Sequence, residues 1–477
     1  MASETAKSTV PGLLSAPRII TLLGSVLVAL SSGTNYVEHL AYAPQLGARL
    51  HVSHTQLNVI GLAGNVGVYS SGPVWGRIVD LRGPRIPLIG ASICLLLGYS
   101  GIKRIYDDGV GGGTTVSALH FAVLVMCGFM TGLGGNAGLG AAVNTTAKSF
   151  PDTARATTTG LVLSGFGLSA FWFSMLAHLL FPGDTSAFLL ILALGTAIPM
   201  LVGLFIVRPI PLPPSSSSAR HDVTDGRGRG EGKDGLPNIY GKQLWLTPDF
   251  YLIFTIMGIC SGTGIMYINN VGSISQALYA KANPIYDDLE ASKWQAAQVS
   301  TVSIGNFAGR ILIGLISDFT RNRLHLPRAY CLCIVSSLFI VSQAFAIGIT
   351  SVQSLWMASA LLGLAYGSLF GICPTIVIEW FGLAHLSENW GYASLAPLVG
   401  GNLFSLMFGR NLDAHAPNQD TRGSLSTRCF DGRGCYVSSL EVTIVACFVA
   451  LGLSVWAGIR DGRKGKGKNA RRVRGEE

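Results

Sequence analysis

Apolar runs of about 20 residues recur along this chain, and they constrain its fold more than any other feature. Each run is long enough to cross the ~30 Å hydrocarbon core of a bilayer as an α-helix. Only 12% of the 477 residues are charged, whereas a typical soluble protein carries about 25%. Twelve such runs can be placed between residues 18 and 459. The sequence therefore predicts an all-α membrane protein with twelve transmembrane helices.

One long polar segment interrupts this pattern. Residues 211–235, PLPPSSSSARHDVTDGRGRGEGKDG, consist mostly of proline, serine, glycine and charged residues, a composition typical of a disordered tether. Six apolar runs lie on either side of it. We therefore expect five regions, which are an N-terminal tail (1–17), an N-terminal six-helix bundle (18–208), a disordered linker (209–247), a C-terminal six-helix bundle (248–460) and a basic tail (461–477).

The distribution of positive charge predicts the orientation. With twelve spans, 24 of the 34 lysine and arginine residues fall on the side that holds both tails and the linker. Because positively charged loops remain in the cytosol, both termini and the linker are expected to be cytosolic. The net charge of +9 then reflects topology and contact with anionic lipid, not nucleic-acid binding.

The chain lacks the motifs of several other functional classes. No P-loop, zinc-ligand spacing or hydrolase motif occurs, so the sequence predicts no enzyme activity, nucleotide, metal or cofactor. We expect a monomer whose partners are the lipid bilayer and a small-molecule substrate.

Two cysteines are placed for a disulfide bond. Cys429 and Cys435, in CFDGRGC, belong to the last predicted non-cytosolic loop, where oxidation is permitted. The Asp-Gly pair between them favours a tight turn that would bring the thiols together. The alternative is two free thiols.

Two pairs of segments echo each other between the halves. GRIVDLRGPR (76–85) follows span two and GLISDFTR (314–321) follows span eight, and both read G-x-x-x-D before a basic residue. SGTNY (32–36) in span one similarly matches SGTGIMY (261–267) in span seven. Internal repeats of this kind are typical of secondary transporters.

These segments resemble the major facilitator superfamily, whose signature after span two is G-x-x-x-D-[RK]-x-G-[RK]-[RK]. The signature is matched at Gly76, Asp80, Gly83 and Arg85, and Leu81 and Pro84 depart from it. GNFAGRILIGLISDF and AYGSLFGICPTIVIEWFG are similar to a fungal nodulin-like group related to the monocarboxylate porters. The resemblance implies two six-helix halves that rock in alternating access.

The resemblance also implies a cytosolic gate at the ends of spans two and eight. Its candidate residues are Gly76, Asp80, Gly83, Arg85, Gly314, Asp318 and Arg321. We expect the charged members to form ion pairs between the halves. The alternative is that the arginines only follow the positive-inside pattern.

Polar residues in spans one, four, seven and ten are candidates for substrate contact, because these spans line the central cavity of the resembled fold. They are Asn35, Tyr36, Asn136, Tyr267, Asn269, Asn270 and Tyr366. Polar groups are tolerated at membrane depth where they face water or a ligand, although they could instead bond only between helices. Glu38 is a candidate proton carrier, since a partly buried carboxyl can titrate near neutral pH. The alternative for Glu38 is a carboxylate at the outer membrane interface.

Arg310 is the one lysine or arginine that falls inside a predicted span. A guanidinium can bind a carboxylate through two parallel hydrogen bonds, which suits an organic-anion substrate. The monocarboxylate porters resemble this site but carry an Asp four residues before the arginine, where this chain has Asn306. We therefore expect Arg310 and Asn306 to bind the substrate. The alternative is a structural role for the arginine around Asp318.

The sequence as a whole predicts a secondary active transporter of a small organic solute, most simply a monocarboxylate-type anion. The resemblance to vacuolar fungal homologues favours the vacuolar over the plasma membrane. The alternatives are a facilitator of a neutral solute and a non-transporting membrane sensor of the same fold.

Overall fold

The computed structural model is a bundle of long α-helices. It describes residues 12, 14–33, 45–47, 49–52, 54–109, 116–181, 184–212, 237–283, 287–415 and 431–474. The first half consists of α1 (Ala16–Leu30), α2 (His54–Arg82), α3 (Arg85–Asp108), α4 (Ala118–Ser149), α5 (Asp152–Leu180) and α6 (Thr185–Ile206). The second half consists of α7 (Pro248–Ala282), α8 (Asp288–Asn322), α9 (Cys331–Gly348), α10 (Leu355–Phe381), α11a (Leu386–Ala393), α11b (Leu395–Ala414) and α12 (Val437–Arg474).

Nine of the helices that the structure describes are long and apolar enough to cross a membrane, namely α3 to α10 and α12. Helix α1 is apolar but shorter, and α2 spans 29 residues with several polar side chains. Helix α11 is split at Ser394, because the ring of Pro397 would clash with the carbonyl of Ala393 in an unbroken helix. Together these segments confirm the predicted all-α membrane fold with two six-helix halves.

Each half has its own hydrophobic core. One cluster of buried side chains runs from Val28 to Val207. The other runs from Leu244 to Ala457 and also includes Ala147 of α4. The halves are thus separate packing units, and they meet along α2 with α11 and along α5 with α8.

We call the side of the bundle that holds the C-terminal ends of α2, α4, α6, α8 and α10 the linker face. Both described ends of the predicted linker are docked on it. Arg18 donates to the carbonyl oxygen of Pro211 at 2.9 Å, and the amide of Ile210 donates to the Ser149 hydroxyl at 3.0 Å. The prediction of a disordered tether therefore concerns residues 213–236, which lie outside the described residues.

Helix α12 continues past residue 460, where we expected the second bundle to end. Trp380 Nε1 donates to Asp461 at 2.6 Å, and Lys464 pairs with Asp249 at 3.1 Å. The first residues of the predicted tail therefore pack against the ends of α7 and α10.

Candidate functional site

The two halves approach most closely at the linker face, where glycines remove the side chains between them. A Cβ at Gly76 of α2 would lie 2.1 Å from the carbonyl oxygen of Ser387 in α11a. One turn away, a Cβ at Gly72 would lie 3.0 Å from Gly391 Cα. On the other side, a Cβ at Gly314 of α8 would lie 2.8 Å from the Ala156 carbonyl oxygen in α5. Any side chain at these positions would force the halves apart.

Asp80, at the end of α2, links the first half to the start of α11a. One carboxylate oxygen accepts the backbone N–H of Glu388 at 2.9 Å. The other accepts from Asn144 at 2.6 Å and from Lys148 at 3.2 Å. Because the N-terminal end of a helix presents unpaired N–H groups and a positive dipole, a carboxylate there is stabilised. We call Asp80, Asn144 and Lys148 the Asp80 cluster.

Asp318, at the end of α8, makes the matching contact in the opposite direction. Its carboxylate accepts from the backbone N–H and the hydroxyl of Thr157 in α5, at 2.8 and 2.7 Å. It also accepts from the backbone N–H of Ala156 at 3.3 Å. The carboxylate of the second half is therefore bound to the first two turns of a helix in the first half.

Arg328 completes this second contact from the start of α9. The side chain is fully buried and binds Asp318 at 3.0 Å, Asp152 at 2.9 Å and Glu379 at 2.7 Å. Asp152 belongs to the first half, so the arginine joins the halves as well. A planar guanidinium with five N–H donors can satisfy several carboxylates at once. We call Asp152, Asp318, Arg328 and Glu379 the Asp318 cluster.

The predicted gate residues lie at the linker face, and their role as a gate stays a prediction. Arg85 is exposed and makes no ion pair with any residue that the structure describes. Arg321 is half-exposed and forms an ion pair between the halves, 3.8 Å from Asp152 of α5. Gly83 ends α2 with φ of +80°, a conformation that favours glycine.

Sequence reasoning missed Arg328 and Lys148 as members of these clusters because they fit the positive-inside count equally well. Sequence reasoning also gave Glu379 no role in this contact. The signal that could have revealed this pair was a carboxylate, Glu379, at the end of one apolar span and a basic residue, Arg328, at the start of the span before it.

The end of the linker packs on the segment around the start of α11a, next to the Asp80 cluster. The amide of Ile239 donates to the Phe381 carbonyl at 2.9 Å, and Asn389 donates to the Ile239 carbonyl at 2.8 Å. Tyr240 stacks on His385 with ring centroids 3.7 Å apart. We call residues 237–245 the linker strap. It holds the loop and first turn of α11a, whose next residues bind the Asp80 cluster.

Arg310 lies deeper, where α8 meets α5 and α10. It is 2% exposed, its Nε donates to Asn306 Oδ1 at 3.0 Å, and its Nη1 donates to the Leu163 carbonyl of α5 at 2.7 Å. The guanidinium also lies over the rings of Phe166 and Phe370, at 5.2 and 5.8 Å from their centroids. The charge thus sits between the halves at membrane depth, oriented by an amide, a carbonyl and two aromatic faces.

Tyr366 extends this site toward the middle of the bundle. It is 7% exposed, its ring packs on Phe370 with centroids 4.9 Å apart, and it interacts with both Arg310 and Tyr69 of α2. Arg310, Asn306 and Tyr366 are therefore brought together, as predicted for residues of one site, and their contact with substrate stays a prediction.

The remaining described candidates bond to other partners or line a cleft between the halves. Tyr267 is wholly buried within the second half, and its hydroxyl is 3.1 Å from Ser359 Oγ. Asn270 donates to the Met266 carbonyl of its own helix at 2.7 Å. Asn136 donates to Ser71 of α2 at 3.2 Å, whereas Asn269 is exposed and lines a cleft between the halves. Their roles in substrate binding also stay predictions.

Four predicted residues, Asn35, Tyr36, Glu38 and Cys429, lie outside the described residues. Cys435 is disulfide-bonded, and the seven other cysteines that the structure describes are free thiols.

Comparison with known proteins places this architecture in a family. The sequence profile of the Major Facilitator Superfamily matches residues 21–404. The chain is 24% identical to the probable transporter MCH1 of Gibberella zeae, over 92% of this chain and 89% of that protein. It is 25% identical to the probable transporter MCH1 of Wickerhamomyces anomalus, over 78% and 75%.

A solved structure shows the same fold. The bacterial homologue of the iron transporter ferroportin, in an outward-facing state with soaked iron, superposes with a TM-score of 0.61 at 13% identity. The superposition covers 92% of this chain and 98% of that protein. Two six-helix halves, the matched signature and fungal MCH1-type relatives all lead to one conclusion, which is that the chain belongs to the Major Facilitator Superfamily.

Proposed function

We propose that the protein is a secondary active transporter that moves a small organic anion of monocarboxylate type by alternating access. The family supports a transport role, and the position of Arg310 is the observation that carries the choice of an anion. A guanidinium can bind a carboxylate through two parallel hydrogen bonds, and this one lies between the moving halves.

The contacts of Arg310 supply a way to couple binding to movement. Its bond to the Leu163 carbonyl joins α8 to α5, so it breaks when these helices separate. A carboxylate that replaces the carbonyl oxygen as acceptor would bind Arg310 more strongly in the separated state, because a charge-assisted hydrogen bond is stronger than a neutral one. Substrate binding would thereby favour one arrangement of the halves.

The closed linker face supports the remaining features of the mechanism. In our proposal this face is cytosolic, and the Asp80 and Asp318 clusters keep it shut while the opposite face admits substrate. A solute or proton gradient would drive transport without ATP, and the vacuolar membrane is the proposed location.

A facilitator of a neutral solute is the second candidate. Its support is the same bond between Arg310 and Leu163, which would then serve only to pack α5 on α8. The two candidates differ in whether the arginine contacts the substrate.

Uptake into proteoliposomes under an imposed pH gradient tests this choice. We expect a panel of small monocarboxylates to include a transported acid, and Arg310→Gln to abolish its uptake at matched protein insertion. Arg310→Lys should restore little, since an ammonium lacks the planar pair of donors. Arg323→Gln, which removes an exposed arginine of the linker face, is the matched control.

Uptake of an acid that survives Arg310→Gln would contradict the proposal and assign the arginine a packing role. Uptake of neutral solutes alone would favour the second candidate.

A further inference from the structure

A cleft with a mostly apolar surface and several amide and hydroxyl groups lies between α2 of the first half and α7 and α11b of the second. Its cavity volume is about 60 Å³. Its polar lining comprises Asn65, Tyr69, Asn269, Asn402 and Ser405, and its apolar lining includes Leu62, Val66, Ile265, Pro397 and Leu398. We call it the amide cleft. The proposed anion site does not include it.

The polar groups of the amide cleft lie where a polar group without a hydrogen-bond partner costs free energy. Asn269 and Asn402 are exposed at membrane depth, where lipid could not satisfy their hydrogen bonds. Asn65 Oδ1 and Ser405 Oγ are buried atoms without a hydrogen-bond partner among the described residues. Buried polar atoms are normally paired, so these positions indicate a site that pairs with something the chain does not itself supply.

The amide cleft adjoins the arginine. Tyr69 lines the cleft and lies beside Tyr366. The Tyr366 ring packs on Phe370 with centroids 4.9 Å apart, and the Arg310 guanidinium lies 5.8 Å from the centroid of the same Phe370 ring. Arg310 precedes the end of α8 by twelve residues, or about 18 Å, and its side chain reaches back one further turn to Asn306. Asn65 precedes the end of α2 by seventeen residues, or about 26 Å. The guanidinium and the cleft therefore lie at similar depth, on either side of the two tyrosines.

The chemistry of the lining restricts the ligand. Side-chain amides and hydroxyls both donate and accept hydrogen bonds, so they recognise uncharged hydroxyl, carbonyl or amide groups. The residues that line the cleft carry no formal charge, so a second carboxylate would gain no counterion there.

We propose that the substrate is an elongated monoanion whose carboxylate binds Arg310 and whose hydroxyl or amide groups bind the amide cleft. This inference rests on the proposed anion function and narrows its substrate class from small monocarboxylates in general to polyhydroxylated or amide-bearing acids. Since α2 belongs to one half and α11b to the other, such a ligand contacts both moving parts.

Ligand-induced thermal stabilisation of the purified full-length protein tests the inference with four probes. Gluconate carries both features, hexanoate has the same carbon count without hydroxyls, glucitol has the hydroxyls without the carboxylate, and lactate is too short to reach both sites. We expect gluconate to bind at least tenfold more tightly than each of the others. Arg310→Gln should remove the binding of both six-carbon acids.

Variants of the cleft separate its role from folding. Asn402→Leu should reduce the affinity for gluconate at least tenfold and leave that for hexanoate unchanged. Ser405→Ala should act in the same direction, whereas Ser70→Ala, an exposed serine of α2 bonded to its own helix, should have no effect. Since Ser405→Ala deletes an unpartnered atom, the ligand-free protein should unfold at an unchanged or higher temperature.

Three results would overturn the inference, and they differ in what they say of the anion function. Equal binding of gluconate and hexanoate, both lost in Arg310→Gln, would reject the cleft and leave the anion function intact. Glucitol binding that equals gluconate binding and survives Arg310→Gln would reject the anion function together with the proposed monoanion. Failure of all four probes to stabilise a protein that unfolds cooperatively would reject this substrate class.

Discussion

The Asp80 and Asp318 clusters close the same face of the bundle with the same type of contact but with different cations. In each, a carboxylate at the end of one helix binds backbone N–H groups near the start of a helix in the other half. Asp80 is neutralised by Lys148, whose side chain is 26% exposed. Asp318 shares Arg328, which is 0% exposed and binds two further carboxylates.

This difference in cations indicates that the two halves repeat the same backbone contact but stabilise it to different extents. A lysine that is a quarter exposed contributes less than a fully buried arginine, because water competes for it. A buried arginine with three carboxylates is costly to disrupt, since removal of one partner leaves the others unpaired. The linker strap adds contacts on the side of the weaker cluster, where Tyr240 stacks on His385.

The largest effect is expected from Arg328→Leu. It leaves Asp318 and Glu379 without their buried cation, and breaking such a pair typically costs roughly 3–5 kcal/mol. We expect a large loss of folded protein and a lowered midpoint of thermal unfolding in detergent. Arg328→Lys should be intermediate, because a lysine binds fewer carboxylates in one geometry. Thermal stability equal to that of the exposed-site control Arg323→Gln would show that the cluster is not a main contact.

The variants Asp318→Asn and Asp80→Asn test directly whether the Asp318 cluster keeps the linker face closed more strongly than the Asp80 cluster. A hydrogen bond to a charged group contributes about 1.5–3 kcal/mol. We expect the loss of closure free energy to lie at the upper end of this range for Asp318→Asn and at the lower end for Asp80→Asn. The readout is the rate at which a maleimide labels Val143→Cys, a buried position at the linker face. The partly buried Cys94 and Cys333 are replaced by serine in this background. Faster labelling for Asp80→Asn than for Asp318→Asn would reverse the proposed order.

Tyr240→Ala tests whether the linker strap supports the weaker cluster. Loss of the stack on His385 should cost about 0.5–1.5 kcal/mol, and thus raise the labelling rate of Val143→Cys several-fold. Tyr240→Phe keeps the ring and should label as the parent does. If the alanine variant also labels at the parent rate, the strap does not contribute to closure.

The smallest effects are expected at the two cations that water reaches, Lys148 and Arg85. Lys148→Ala should shift closure by about 0.2–1 kcal/mol, and Arg85→Gln should leave the labelling rate unchanged because it makes no ion pair with a described residue. A larger effect of Arg85→Gln than of Lys148→Ala would restore the signature arginine as a gate residue.

Some of the candidate site was predictable and some was not. Asp80 and Asp318 were identifiable because the same G-x-x-x-D spacing recurs in both halves. Arg310 was identifiable because a charge inside an apolar run requires a partner or a cavity. Arg328 was not, since a basic residue at the start of a span also satisfies the positive-inside pattern, and its burial depends on three carboxylates from different helices.

The sequence by itself determined the helices, the two halves and the membrane, because a span needs only local apolar length and a tether needs only local polarity. Tertiary structure alone decided which cation neutralises which carboxylate, that the linker strap is docked, and that polar residues of α2, α7 and α11b share one cleft. These features join residues that are distant in the chain, such as Asp80 and Glu388. No local pattern encodes the distance between two helices that meet only when both halves pack.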